Sequence, residues 1–119
     1  MCSGLRIVSV SCGANHSMCI TARGDVYTWG LGTAGQLGHG STESMESPNV
    51  IQLLQGKTVI MATGGEDNSG CITDTGDLYT WGAGEVGKLG HGPAMTSSLL
   101  PRLIRGDLQG KFFLFISSL

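Results

Sequence analysis

Charged residues and long apolar runs are scarce in this chain of 119 residues, and each scarcity excludes a class of protein. Only 13% of the residues are charged, and the net charge of −2 argues against non-specific binding to nucleic acid. No apolar run approaches the roughly 20 residues that a membrane-spanning helix needs. The first residues lack the basic start and apolar stretch of a secretory signal. We therefore expect a cytoplasmic or nuclear location and no contact with a membrane.

Metal-binding and redox patterns are also missing. The four cysteines, Cys2, Cys12, Cys19 and Cys71, include no Cys-x-x-Cys pair, and no histidine lies at zinc-ligand spacing from one. Because thiols stay reduced inside cells, we expect buried thiols that behave as small apolar side chains. The sequence predicts neither a metal nor a cofactor.

Glycine, in contrast, is abundant, with 20 residues among 119. Its usual share is about 7%. Collagen is excluded because glycine does not recur at every third position. Disorder is disfavoured because 40% of the residues are hydrophobic. The length allows one domain at most, and the composition predicts that this domain is turn-rich and all-β.

The chain contains an internal repeat. Residues 24–30 (Gly-Asp-Val-Tyr-Thr-Trp-Gly) recur as residues 76–82 (Gly-Asp-Leu-Tyr-Thr-Trp-Gly), and Leu-Gly-His-Gly follows each copy, at residues 37–40 and 89–92. Aligned without a gap, residues 8–40 and 60–92 are identical at just over half of their positions. A repeat length near 50 residues is typical of solenoids and propellers, whose units bury their apolar faces against one another.

We interpret a set of repeated glycines, aromatic residues and leucines as structural repeat positions. They are Gly24, Tyr27, Trp29, Gly30, Gly35, Leu37, Gly38, Gly40, Gly76, Tyr79, Trp81, Gly82, Gly87, Leu89, Gly90 and Gly92. Glycines at turns are expected to have positive φ, which other residues adopt only with strain. The tyrosines and tryptophans are expected to pack between units.

Short strand signals recur within each unit. Residues 7–10 and 58–61 are β-branched runs, residues 17–21 and 69–73 form a second candidate pair, and residues 26–29 alternate between two faces. Pro48 is predicted to begin a short fourth strand over residues 48–51. Four short antiparallel strands in each unit correspond to one propeller blade.

Residues 12–17 (Cys-Gly-Ala-Asn-His-Ser), followed by the repeated motif of residues 24–40, closely resemble the regulator-of-chromosome-condensation repeat. The resemblance covers about residues 6–111 and departs from the family pattern where Asn68 stands in place of the usual histidine. It implies an all-β partial β-propeller of two four-stranded antiparallel blades, about residues 6–57 and 58–111, with the start of a third. Family members usually have seven blades.

The last residues differ from the repeat. Residues 108–111 repeat Leu-Gln-Gly-Lys of residues 54–57, but residues 112–119 form a divergent hydrophobic tail with all three phenylalanines. We therefore interpret residues 1–111 as the repeat region. We also expect the chain to be a fragment or truncated isoform of a larger propeller.

Three features resemble ligand-binding or catalytic sites. Residues 30–35 and 82–87 match Gly-x-Gly-x-x-Gly, but further glycines follow where a dinucleotide site needs a helix, so we expect a loop and no small-molecule ligand. His39 and His91 share a repeat position, and no acid or nucleophile recurs beside them, so no catalytic residue is predicted. His16 is expected to cap a turn or pack within the blade, and a ligand role stays open.

The resemblance implies a protein–protein interaction module that is not an enzyme. Its partner would be a small GTPase, chromatin or a protein of the ubiquitin pathway. Two alternatives remain at this point. The chain could belong to a guanine-nucleotide exchange factor for a Ran-like small GTPase, or to the propeller part of a ubiquitin ligase whose catalytic domain lies elsewhere.

Overall fold

Two four-stranded antiparallel sheets make up the computed structural model, which describes residues 6–83 and 97–104. The first sheet, blade 1, contains β1 (Ile7–Cys12), β2 (His16–Thr21), β3 (Val26–Gly30) and β4 (Met45–Val50). The second, blade 2, contains β5 (Val59–Gly64), β6 (Asn68–Thr73), β7 (Leu78–Ala83) and β8 (Ser97–Ile104). In each blade the spatial order follows the sequence order, so this all-β partial propeller is as the sequence predicts.

The two blades share the same strand register. Ser17 pairs with Trp29 in blade 1, and Ser69 pairs with Trp81 in blade 2. The first strand of each blade has a register shift at the same repeat position, between Ile7 and Ser9 in β1 and between residues 59 and 61 in β5. Sequence identity at the repeat positions therefore corresponds to structural equivalence.

Glycine has positive φ at the predicted turns. φ is +90° at Gly24 and +88° at Gly76, where each backbone N–H donates to the carbonyl three residues earlier. φ is +111° at Gly30 and +97° at Gly82, at the ends of the third strands. This expectation is confirmed at all four positions. At Gly24 and Gly76 it explains how a short hairpin turn joins the second and third strands of each blade.

The fourth strand of blade 1 differs from the prediction. It begins at Met45, which pairs with Gly30, and Pro48 lies in its middle rather than at its start. β4 is the outer strand of the sheet, where a residue without an N–H is tolerated. Ile51 falls outside the strand and is fully buried, just before the short 3-10 helix Gln52–Leu54.

The hydrophobic core lies between the two blades. Its buried members are Met18, Ile20, Val26, Ile51, Leu54, Val59, Ala62, Cys71, Tyr79 and Trp81. The described residues contain no helix that is long and apolar enough to cross a membrane. The third unit, the tail at residues 112–119, and Cys2, Gly87, Leu89, Gly90, His91 and Gly92 lie outside the described residues.

Candidate functional site

The glycine-rich segment after β3 is a loop. Residues 31–44 form turns and bends without a helix, so no helix N-terminus faces a phosphate at the first Gly-x-Gly-x-x-Gly match. The second match, residues 82–87, lies largely outside the described residues. The loop joins β3 to β4 within blade 1 and contacts blade 2, so it connects the blades by packing.

Glycines allow this loop to approach blade 2 closely. A Cβ added at Gly35 would lie 2.6 Å from Cδ2 of Leu99, and one at Gly38 would lie 2.9 Å from Nε1 of Trp81. The N–H of Gly40 donates to the carbonyl of Leu99 at 2.9 Å. Since all three glycines also have positive φ, any other residue would be strained and crowded here.

The backbone carbonyl of Gln36 is the centre of the contact between the blades. It accepts one hydrogen bond from Oγ of Ser69 at 2.8 Å and another from Nε1 of Trp81 at 2.9 Å. Gln36 itself is fully buried, and its Oε1 accepts from the N–H of Ala34 at 2.8 Å. A single peptide group of blade 1 therefore satisfies two buried donors of blade 2.

His16 and Ser69 form a buried pair that spans the two blades, with Nε2 and Oγ 2.8 Å apart. The hydroxyl proton of Ser69 goes to the Gln36 carbonyl, so Nε2 of His16 must carry the proton that it donates to Ser69. Nδ1 then holds the lone pair, and it is buried without a hydrogen-bond partner among the described residues. This polarity is opposite to that of a serine activated by a histidine base.

His39 repeats the same arrangement within blade 1. The hydroxyl of Thr28 donates to the carbonyl of Leu37 at 2.7 Å, so Nε2 of His39, 2.8 Å away, must donate to that hydroxyl. Each histidine thus donates to a hydroxyl, which in turn donates to a backbone carbonyl of the loop. The two carbonyls belong to consecutive residues, Gln36 and Leu37. The role of both histidines in this geometry is to position the loop, because neither hydroxyl is free to act as a nucleophile.

The His, Cys, Asp and Glu side chains of the described residues do not form a metal site. No group of three His, Cys, Asp or Glu side chains that could hold a metal ion occurs in the part of the chain that the structure describes. Cys19 and Cys71 are buried as expected, whereas Cys12 is exposed, so the expectation of buried thiols is wrong there. Burial raises the pKa of Cys71 to about 12, so its thiol stays protonated and unreactive.

The stability of the fold should depend on pH through His16. Burial lowers the pKa of His16 below its usual 6.5, although the backbone of Asn68 and the carboxylate of Asp67 oppose the shift. The unfolded chain therefore binds a proton more readily, and stability is lost as the pH falls from about 6.5 towards the native pKa. Burial lowers the pKa of His39 in the same direction.

We expect His16→Asn to reduce the loss of stability between pH 7.5 and pH 5.5, as measured by urea unfolding at both values. Asparagine is the residue that blade 2 carries at the equivalent position, Asn68. The variant should be less stable at pH 7.5, because the bond to Ser69 is removed. A loss of stability as large as in the original chain would contradict this assignment.

The aromatic repeat positions are placed differently in the two blades. Trp81 is fully buried and Tyr79 is 9% exposed, and both face blade 1. Tyr27 and Trp29 occupy the equivalent positions in blade 1 but are only half-buried. The expected packing between units is therefore seen for the blade 2 pair.

Backbone hydrogen bonds join the two blades at both ends of their strands. We call one end the loop end; it comprises residues 13–15, 31–44 and 65–67 and is held together by the N–H of Ala14 donating to the carbonyl of Gly65 at 3.0 Å. At the opposite end, the turn end, the N–H of Val59 donates to the carbonyl of Gly24 at 3.1 Å.

Carboxylates cluster at the loop end. Glu43 and Glu66 are exposed there, Asp67 is half-buried, and the exposed Glu46 follows at the start of β4. The described basic residues lie elsewhere: Arg6, Arg23 and Lys57 at or beside the turn end, and Arg102 within β8. Within the described residues, the loop end is acidic without a compensating lysine or arginine.

Comparison with solved structures shows the fold directly. The crystal structure of human WBSCR16 matches with a TM-score of 0.80 and 30% identity, over 87% of this chain and 26% of that one. Prp20p from Saccharomyces cerevisiae matches with a TM-score of 0.77 and 22% identity, over 88% of this chain and 27% of that one.

Curated relatives include much longer proteins. The human E3 ubiquitin-protein ligase HERC2 is 43% identical over 109 residues, which are 92% of this chain and 2% of that protein. The ultraviolet-B receptor UVR8 of Arabidopsis thaliana is 39% identical over 101 residues, 85% of this chain and 23% of the receptor. The chain thus spans about a quarter or less of the length of these relatives.

The family model described as "Regulator of chromosome condensation (RCC1) repeat" matches residues 23–72 and 75–115, and a second model of the same description matches residues 7–36. These matches cover most of the chain, including both copies of the motif whose residues join the blades. The chain belongs to the regulator of chromosome condensation (RCC1) repeat family.

Proposed function

We propose that this chain is a protein-binding segment of a β-propeller and that its acidic loop end binds a basic surface of a protein partner. The observation that carries the proposal is the distribution of charge, with Glu43, Glu46, Glu66 and Asp67 at one end and the described basic residues elsewhere. Opposite charge on the partner would speed and orient association. We place this function in the cytoplasm or nucleus.

The two buried histidine–hydroxyl pairs support a binding role over a catalytic one. His16 and Ser69 are engaged with the Gln36 carbonyl, and Thr28 and His39 with the Leu37 carbonyl. Breaking these bonds to perform chemistry would release the loop that joins the blades. The exposed loops and turns are then the parts that remain available for recognition.

Histones are the basic probe that we favour, since Prp20p, which shares the fold, was characterised for its binding to Gsp1p and histones. We expect the chain to bind purified histones at low ionic strength and to lose affinity as salt is added. Glu66→Lys should weaken binding by roughly threefold to tenfold, because it places a like charge at the contact.

A matched control is available at the turn end. Asp74 is exposed in the hairpin between β6 and β7, at the turn end of blade 2. Asp74→Lys makes the same change in charge as Glu66→Lys. We expect Asp74→Lys to leave histone affinity nearly unchanged in a titration by biolayer interferometry. Equal effects of the two variants, or no binding by the original chain, would refute the assignment of the loop end.

Two further readings come from the relatives. HERC2 is named as a ubiquitin ligase, so the segment could serve the propeller part of a ligase. The alternative is guanine-nucleotide exchange on a Ran-like small GTPase. A fluorescent-nucleotide release assay with such a GTPase separates exchange from binding. The proposal predicts that the chain does not accelerate nucleotide release. If the chain accelerates release, exchange replaces simple binding as the function.

A further inference from the structure

The outer strand of blade 1 contains a bulge. Gly30 of β3 pairs with Met45 of β4, and two residues earlier Thr28 pairs with Asn49. One residue of β3 therefore lies opposite three residues of β4, residues 46–48 (Glu-Ser-Pro). A bulge of this kind bends the strand and changes the direction of its side chains. We call residues 46–48 the β4 bulge.

The serine of the β4 bulge, Ser47, is exposed and has an unoccupied hydroxyl. Its backbone carbonyl accepts from Nδ2 of Asn49 at 3.0 Å, which holds the bulge in place without strand pairing. Its Oγ makes no hydrogen bond to the described residues. Ser44 differs, because its Oγ accepts from the N–H of Gly32 at 3.0 Å. The Ser47 hydroxyl is therefore free to react with a group from outside the chain.

Blade 2 has the same bulge with different side chains. The pairing of β7 with β8 places residues 99–101 (Leu-Leu-Pro) at the equivalent positions. Both leucines lie against glycines of the blade 1 loop, Leu99 beside Gly35 and Leu100 beside Gly40. The β4 bulge keeps the proline, but glutamate and serine stand in place of the leucines. Because these two residues are exposed and have no such packing to lose, a larger group on the serine is compatible with the fold.

Ser47 is followed by Pro48, and no other serine or threonine of the sequence precedes a proline. Proline has no N–H, so an apolar pocket that receives it beside the reacting hydroxyl contains no unpaired donor. Kinases of the proline-directed class select their target hydroxyl by this dipeptide. The reacting atoms must approach to about 3–3.5 Å, which an exposed side chain permits.

Ser47 also lies next to the acidic loop end. It lines a shallow groove together with Leu31 and Ser44 of the loop, and Glu46 precedes it. The described lysines and arginines lie away from this end. A phosphate on Ser47 would therefore add to the negative charge of the loop end without a described basic side chain to neutralise it.

We propose that Ser47 is the phosphorylation site of a proline-directed serine/threonine kinase. The Ser47 hydroxyl oxygen attacks the γ-phosphorus of ATP, and the bond from that phosphorus to ADP breaks. The hydroxyl proton passes to the catalytic aspartate of the kinase. The phosphoserine carries about −1.5 to −2 charges at pH 7. The modification site depends on the β4 bulge alone and requires no binding function of the loop end.

A consequence for histone binding rests on the proposed function. The added charge lies beside the acidic loop end, so phosphorylation should raise histone affinity by roughly twofold to fivefold at low ionic strength. The gain should shrink as salt is added. Repulsion between the phosphate and Glu46 is screened because both groups are exposed, so the fold should keep its stability.

Treatment of the chain with purified kinases tests the site. A cyclin-dependent kinase and a mitogen-activated protein kinase are used separately, each with ATP and Mg²⁺. Intact-mass spectrometry should show one phosphate per chain with at least one of them, and fragmentation should locate it on Ser47. Ser47→Ala should take up no phosphate. The matched control is Thr42→Ala, an exposed hydroxyl on the same segment that is followed by glutamate, and it should react like the original chain.

Two comparisons connect the reaction to the structure. Pro48→Ala keeps the hydroxyl and removes the recognised ring, so the rate should fall by roughly tenfold or more. A synthetic peptide of residues 41–51 has the dipeptide without the fold. The folded chain should react within roughly threefold of the peptide's rate, because the β4 bulge is already accessible. Circular dichroism confirms folding of each variant; if Pro48→Ala does not fold, the same substitution is measured in the peptide.

The proposal is overturned if neither kinase phosphorylates the chain, if the phosphate lies on another residue, or if the proline substitution leaves the rate unchanged. Reaction of the peptide but not of the folded chain overturns it as well, since the fold would then hide Ser47. Histone titration of the phosphorylated chain is a separate measurement. Phosphate on Ser47 with unchanged histone affinity would contradict the loop end as a binding surface and leave the modification site standing.

Discussion

Replacing Trp81 by alanine is expected to lower the free energy of unfolding by about 3–5 kcal/mol, the usual range for a buried tryptophan. The side chain is fully buried, lies against Gly38 and donates to the Gln36 carbonyl at 2.9 Å. Its removal would leave a cavity between the blades and take one of the two donors from that carbonyl. Urea unfolding followed by far-ultraviolet circular dichroism measures the change.

Trp29→Ala is the matched control, because Trp29 holds the same repeat position and strand register in blade 1. Trp29 is only half-buried, so its replacement should cost about 1–2 kcal/mol. Equal losses for the two variants would show that the contact between blades contributes little, contrary to the packing described.

Gly82→Ala is expected to destabilise the fold by about 3 kcal/mol or more. The φ of Gly82 is +97°, and an added Cβ would lie 2.6 Å from the carbonyl oxygen of Asp67 and 2.7 Å from Cα of Asn68. These neighbours are backbone atoms, which cannot rotate away. The substitution therefore combines conformational strain with a steric clash.

Gly76→Ala separates the two causes. Gly76 has a similar φ of +88°, but an added Cβ would meet no atom within 4 Å. Only the left-handed backbone should then be penalised, by about 1–2 kcal/mol. Thermal and urea unfolding of both variants gives the difference, which measures the clash. If Gly76→Ala were as damaging as Gly82→Ala, the close approach at Gly82 would have no energetic meaning.

The sequence predicts most strands and the turn glycines correctly because their signals are local and occur twice. The prediction for β4 is wrong: Pro48 indicates a strand start, whereas pairing with β3 begins at Met45. In an outer strand, pairing with a single neighbour decides the bounds, and the residue types in the strand carry little information about where that pairing starts.

Burial and contacts between the blades could be predicted only in part. Trp29 and Trp81 have the same local sequence, so their different exposure follows from what covers each face. Gln36 was missed as a central residue, because it acts through its backbone carbonyl and the repeat has lysine at the equivalent position 88. Ser17 and Ser69 are identical repeat residues, and that identity was the available signal for a role of Ser69.

The prolines of the outer strands have a consequence for unwanted assembly. Pro48 lies within β4 and Pro101 within β8, and among the described strands each of these two pairs with a neighbour on one side only. A foreign strand that added to either edge would find no backbone N–H at the proline, so a continuous hydrogen-bonded ladder could not form. The outer strand of each blade thus carries a residue that opposes templated fibril growth along that strand.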